Sequence, residues 1–101
     1  MKQCCKDYLM DQFGDEDVVN EIYGEYVTSV HEKIGELEAA LTAENWSALD
    51  QLAHAVKGNA LATGDTEAAN AAVALRIAAK MSEKETARLH FEKLKELAKE
   101  I

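Results

Sequence analysis

His54, Lys57 and Gly58 stand together within WSALDQLAHAVKGNALATG, residues 46–64, and a second glycine, Gly64, follows six residues after Gly58. A neutral imidazole is a nucleophile near pH 7, and histidine is the one side chain whose unperturbed titration falls there. The ammonium of Lys57, one turn further along a helix, is placed to balance charge on a phosphoryl group carried by that ring. Gly58 is a poor helix residue, less favourable than alanine by about 1 kcal/mol. Its presence makes sense where something large must approach the imidazole. Gly64 suits the left-handed residue that ends a helix.

These side chains need a helix to hold them, and the surrounding residues supply one. Trp46, Leu49, Ala53, Val56 and Ala60 recur at steps of three and four, the spacing of a buried helix face. At about 100° per residue, His54 points roughly 140° away from that face. Lys57 and Gly58 lie beside it one turn on. Leu61, at a spacing of seven, extends the same outer surface, either as a docking contact or as a single exposed leucine that needs no explanation, and Gln51 and Asn59 flank it as hydrogen-bonding contacts. Asp50 precedes His54 by one turn. Its carboxylate either orients the imidazole and raises its pKa or is a solvated helix charge.

The pattern His54-x-x-Lys57-Gly58-x-x-x-x-x-Gly64 resembles the phosphorylation motif of histidine-containing phosphotransfer (HPt) domains. Upstream, Phe13-Gly14-Asp15, the apolar-periodic run to Leu41 and Asn45-Trp46 follow that family's usual order. The resemblance covers roughly residues 10 to 80 and, more weakly, the last helix. It implies a phosphorelay carrier. His54 accepts a phosphoryl group from the aspartyl phosphate of a receiver domain and passes it to another receiver, with Lys57 stabilising the phosphoryl charge. The implied partners are receiver domains of response regulators or of hybrid sensor histidine kinases, met through Gly58, Leu61, Gln51 and Asn59, with Gly64 structural. The receiver brings the acidic pocket and Mg²⁺; this chain needs no cofactor of its own. Three positions depart from the family pattern. Thr63 precedes the second glycine where a bulky apolar residue is common, Arg76 follows Leu75 where a Leu-Glu pair is common, and Leu61 stands where smaller residues are frequent. A helical adaptor that binds receivers without being phosphorylated is the alternative, and the retention of His54 with Lys57 argues against it. The initial methionine and the lack of a linker favour a free-standing protein over a domain of a larger hybrid kinase.

Length and composition agree with a small helical domain. The 101 residues suffice for one core, and an ATP-binding kinase domain does not fit in them. The expected organisation is one domain over residues 1–101, with a leader helix in 1–14 and a bundle in 15–101. Nineteen acidic residues against eleven basic ones give a net charge of -8, which argues against nucleic acid and against an anionic membrane surface. No apolar run approaches the roughly 20 residues of a membrane span, and the N-terminus lacks a signal-peptide stretch, so a cytoplasmic location is expected; a monomer is expected as well. Cys4 and Cys5 are adjacent and have no other thiol to pair with. They are read as reduced thiols, one or both covered by a helix. His31, at the edge of an apolar stripe, and His90, near an inner face, read as packing or boundary residues. The three histidines lack the pairing of a metal motif.

The remaining elements follow from periodicity and stop signals. Residues 2–13 form a short helix ended by Gly14, and Asp15 or Asp17 caps the next. The first long helix, 16–42, carries Val19, Ile22, Tyr23, Tyr26, Val30, Ile34, Leu37 and Leu41 inward. Gly24 and Gly35 sit off that stripe and are read as tolerated surface glycines rather than as a point of close approach for another chain. After Ala43-Glu44-Asn45 comes the His54 helix. Asp65 or Thr66 then starts an alanine-rich helix to about residue 80. Lys80 to Lys84 form a connection in which Ser82 and Glu85 have capping-box spacing, and a last helix runs to the end. With no strand-like alternation and only short turns, the expected fold is all-α. It is an antiparallel up-down-up-down four-helix bundle with a short N-terminal helix.

Overall fold

A computed structural model describes residues 1–101 and contains five helices and no strand. They are α1 (Gln3–Phe13), α2 (Glu16–Thr42), α3 (Trp46–Thr63), α4 (Thr66–Lys80) and α5 (Lys84–Ala98). α3 packs against α2 and α4, α4 against α5, and α5 back against α2, so four helices close a ring; α1 lies across α2 and α3. Leu37, Leu41, Leu49, Val56, Leu75, Phe91 and Leu94 fill the interior. α4 contributes mostly alanines to it, Ala68, Ala69, Ala71, Ala72, Ala78 and Ala79. α2, at 27 residues, is about 40 Å long and spans nearly the whole molecule, whose extents are 42 × 19 × 19 Å. The helical bundle and the helix from Trp46 agree with the sequence.

The three connections of the ring share one construction. The N–H of Asn45 reaches back to the carbonyl of Ala40, that of Asp65 to Ala60 and that of Glu83 to Ala78, at 2.9, 2.9 and 3.0 Å. In each case the residue just before also donates backwards, from Glu44 to Leu41, Gly64 to Leu61 and Ser82 to Ala79. This paired closure satisfies carbonyls that a helix end leaves open, and it requires a left-handed residue. Glu44, Gly64 and Ser82 occupy that place with φ of 55°, 81° and 53°. The next residue then opens the following helix. The side chains of Asn45 and Asp65 accept from Ala48 and Ala68 N–H at 3.2 and 3.3 Å. Asp15 caps α2 in the same way, accepting from Asp17 and Val18 N–H.

The last connection corrects two expectations. Lys80 still belongs to α4, so Met81–Glu83 alone join α4 to α5. Ser82 and Glu85 form no capping box, because Ser82 is the left-handed closing residue of α4 and Glu83, without a side-chain cap, stands at the N-cap.

A buried polar cluster ties α1 to the ring. Asp65, 1% exposed, accepts from Lys2 Nζ at 2.9 Å and from the Tyr26 hydroxyl at 2.8 Å, besides capping α4. The Lys2 backbone N–H donates to the Tyr23 hydroxyl at 3.2 Å, and Tyr23 meets Tyr26 edge-on with ring centres 6.1 Å apart. Cys5 is buried and Cys4 exposed, both as free thiols. Burial pushes the Cys5 thiol up to about 12 and raises both tyrosines. Burial pulls the Lys2 ammonium down, but the hydrogen bond and charge of Asp65 outweigh it and leave it raised.

All four shifts have the same sign. Each group in the folded protein keeps its proton beyond its ordinary value of 9.0 (Cys5), 10.0 (Tyr23, Tyr26) or 10.5 (Lys2). The stabilisation is complete below the lowest of these values and declines as pH rises through them, because the unfolded chain releases protons first. The denaturant midpoint is therefore expected to fall between pH 8 and pH 11, and a flat midpoint across that range would refute the assignment.

Candidate functional site

α3 presents the candidate residues. Its N-terminus is fixed by the Asn45 cap and its C-terminus by Gly64, and Leu49, Ala53, Val56 and Ala60 anchor one side of it in the core with no measurable exposure. His54 is consequently exposed on the opposite side and takes part in no ion pair. The exposed side chain is open to an incoming electrophile. Lys57 is half-buried and likewise forms no ion pair, so its ammonium stays available. Gly58 is exposed, and a side chain built on it would meet nothing within 4 Å. Leu61 is 52% exposed, and Gln51 is exposed. At about 100° per residue, Gln51, His54, Lys57, Gly58 and Leu61 all point within about 60° of the imidazole direction, and the helix gathers them on one surface.

Two neighbours behave otherwise. Asp50 Oδ1 accepts from Arg76 Nε at 2.9 Å, with both side chains about three-quarters buried. The carboxylate is thus turned towards α4 and is neither a solvated charge nor a group directed at the imidazole. It ties α3 to α4 beside the exposed face, and Arg76 leaves that face without an unpaired acid next to His54. Asn59 is half-buried and turned towards α2, where its Nδ2 donates to Ser29 Oγ at 2.9 Å. Thr63 is buried, and its hydroxyl donates to the Asn59 carbonyl at 2.7 Å, which accounts for a polar residue at that position. His31 is exposed and not a packing residue, while His90 is half-buried. Gly24 and Gly35 have open space around them.

Sequence reasoning missed the Asp50–Arg76 bridge, whose partners lie 26 residues apart on different helices. The available signal was Arg76 itself, a base standing where the resembling family commonly carries an acid.

Gly58 invites a direct test. It lies in the helix interior with its Cα open to solvent, so Gly58→Ala is expected to stabilise the protein by about 0.5–1 kcal/mol. Gly58→Glu is expected to fold and, if His54 accepts a phosphoryl group as the resemblance implies, to lose that acceptance more severely than the alanine variant, through bulk and charge one turn from His54. Thermal melts paired with single-turnover assays read both effects; an alanine variant that melts lower would place Gly58 in a packing role.

No helix is long and apolar enough to cross a membrane. The Hpt domain family model matches residues 21–101, which take in most of α2 and all of α3, α4 and α5 and leave α1 outside. No curated protein and no solved structure matches the chain significantly.

Proposed function

The chain belongs to the Hpt domain family and is a phosphotransfer carrier of two-component phosphorelays; on that premise we propose that His54 is the residue that carries the phosphoryl group. The observation that carries this reading is the exposed His54 imidazole, set outward on a well-anchored helix with Lys57 unpaired and Gly58 open beside it.

The unprotonated ring nitrogen of His54 attacks the phosphorus of a receiver's aspartyl phosphate in line. The N–P bond forms, the acyl phosphate P–O bond breaks, and the electron pair leaves with the receiver's carboxylate. The other ring nitrogen holds its proton throughout. Lys57 offsets charge on the phosphoryl oxygens, and Gly58 leaves room for the receiver. Mg²⁺ and the acidic pocket belong to the receiver, and this chain contributes no cofactor. Transfer to a second receiver is the same step reversed.

The whole chain, residues 1–101, acts in this reading as a single cytoplasmic domain and a monomer. Its four longer helices run up-down-up-down with α1 as a brace, a path supported by the short connections between them. Docking uses the surface around His54, Gly58, Leu61 and Gln51. The test is incubation with a phosphorylated receiver. An acid-labile, base-stable phosphate is expected on the peptide containing His54; label confined to the His31 or His90 peptide would overturn the assignment.

A further inference from the structure

A cleft of about 270 Å³ lies between α2 and α3, lined by Ile22, Glu25, Ser29, Asn59, Ala62 and Thr63 among others. Its α3 wall begins about 8 Å along the helix axis from His54, and Ala62 points about 80° round from the imidazole. The cleft therefore flanks the Gly58–Leu61 end of the exposed face. It is smaller than the roughly 300–1,000 Å³ of small-molecule pockets and suits one long side chain.

Its polar groups are mostly committed inside the protein. The Thr63 hydroxyl donates to the Asn59 carbonyl and Asn59 Nδ2 to Ser29 Oγ. The Tyr26 hydroxyl, also on the lining, donates to Asp65. Glu25 is the one charged residue on the wall. It is exposed and forms no ion pair, and Lys33, on the same helix, reaches Ser29 at 3.4 Å instead. The Asn59 side-chain oxygen is a further acceptor there. Apolar lining from Ile22, Tyr26 and Ala62 together with an unpaired carboxylate fits a side chain with a long aliphatic stem and a cationic head.

We propose that this cleft is a partner-selecting pocket that receives a lysine or arginine from the receiver domain docked over His54, with Glu25 as its counter-charge. This rests on the docking surface proposed above. Receivers that carry a base at the matching position bind, and those with an acid there are rejected by like charge and by desolvation of Glu25.

The experiment uses the full chain and a receiver domain that exchanges phosphate with it. Binding is measured by calorimetry at 50 and 300 mM salt for wild type, Glu25→Gln and Glu25→Lys, and labelling by phosphoramidate is measured alongside. Kd is expected to rise about threefold for Glu25→Gln and about tenfold for Glu25→Lys at low salt, and less at high salt. Changing one basic residue of the receiver to glutamate is expected to restore binding to Glu25→Lys. Phosphoramidate labelling of His54 is expected to be unchanged in all variants. Wild-type affinity in both variants at low salt, tighter binding by Glu25→Lys, or a loss that is indifferent to salt and rescued by no receiver substitution would each overturn the pocket. Failure of phosphoramidate to label wild-type His54 would instead strike the acceptor assignment.

Discussion

His54→Gln is expected to abolish phosphoryl acceptance while leaving the fold intact. Glutamine matches histidine in approximate size and polarity, but its amide nitrogen has no lone pair free for attack on phosphorus. The position is exposed and no ion pair depends on it, so stability is expected to move by no more than about 0.5 kcal/mol. The helix itself is held by residues on its other side. His31 and His90 remain in the variant as internal controls, one exposed and one half-buried, and neither has a Lys-Gly sequel. Loss of label to background, with an unchanged melt, is the expected result. A variant labelled as well as wild type would remove His54 from the mechanism. The same variant separates carrier from adaptor: it is expected to keep binding receivers while the relay stops, whereas an adaptor would lose nothing.

Gly64→Ala is expected to give a large loss of stability, about 2–4 kcal/mol, from two sources that can be separated. The first is the left-handed backbone, φ 81°, which a Cβ makes unfavourable. The second is steric: that Cβ would fall on Cβ, Cγ and Cδ1 of Tyr8 in α1, the stiff inner end of an aromatic side chain. α1 must then shift, which puts at risk the Lys2–Asp65 ion pair at 2.9 Å. Chemical denaturation of wild type, Gly64→Ala, Tyr8→Gly and the double variant apportions the loss, because only glycine at position 8 removes the Cβ as well as the ring. The double variant is expected to fall short of the sum of the single effects, because removal of the whole Tyr8 side chain, Cβ included, relieves the clash but not the backbone strain. Strict additivity would show that Tyr8 yields freely and that only the backbone matters.

Much of this arrangement was legible in the sequence, and the gaps have physical causes. The bounds of α2 could be read because Asp15 is a strong N-cap and the apolar stripe from Val19 to Leu41 keeps helical spacing throughout. α3 could be read because its inner and outer faces differ so sharply, and that contrast also set His54 outward. The end of α3 announced itself through Gly64. The same closing geometry at Glu44 and Ser82 did not, because a glutamate and a serine there carry no sequence signal and accept the left-handed conformation at a cost of about 1–2 kcal/mol each. Asp65 could be read as a helix start. Its burial with Lys2 and Tyr26 could not, since that depends on chain segments 63 and 39 residues away. Asp50 and Asn59 were ambiguous for a related reason. Helical periodicity assigns a side chain to a face, while its partner is decided by which neighbouring helix passes that face.

The three short connections also bear on how quickly the chain reaches its native form. Each brings successive helices into contact across a few residues, so the α2–α3, α3–α4 and α4–α5 pairings all join neighbours in sequence. Loop closure is then cheap in entropy, and helical proteins dominated by such local pairings fold in microseconds to milliseconds. Two pairings stand apart, α2 with α5 and α1 with α3, because they unite distant parts of the chain. The first shuts the ring and the second seats α1 over Gly64. The helix that carries His54 is flanked by two of the local pairings, α2–α3 and α3–α4.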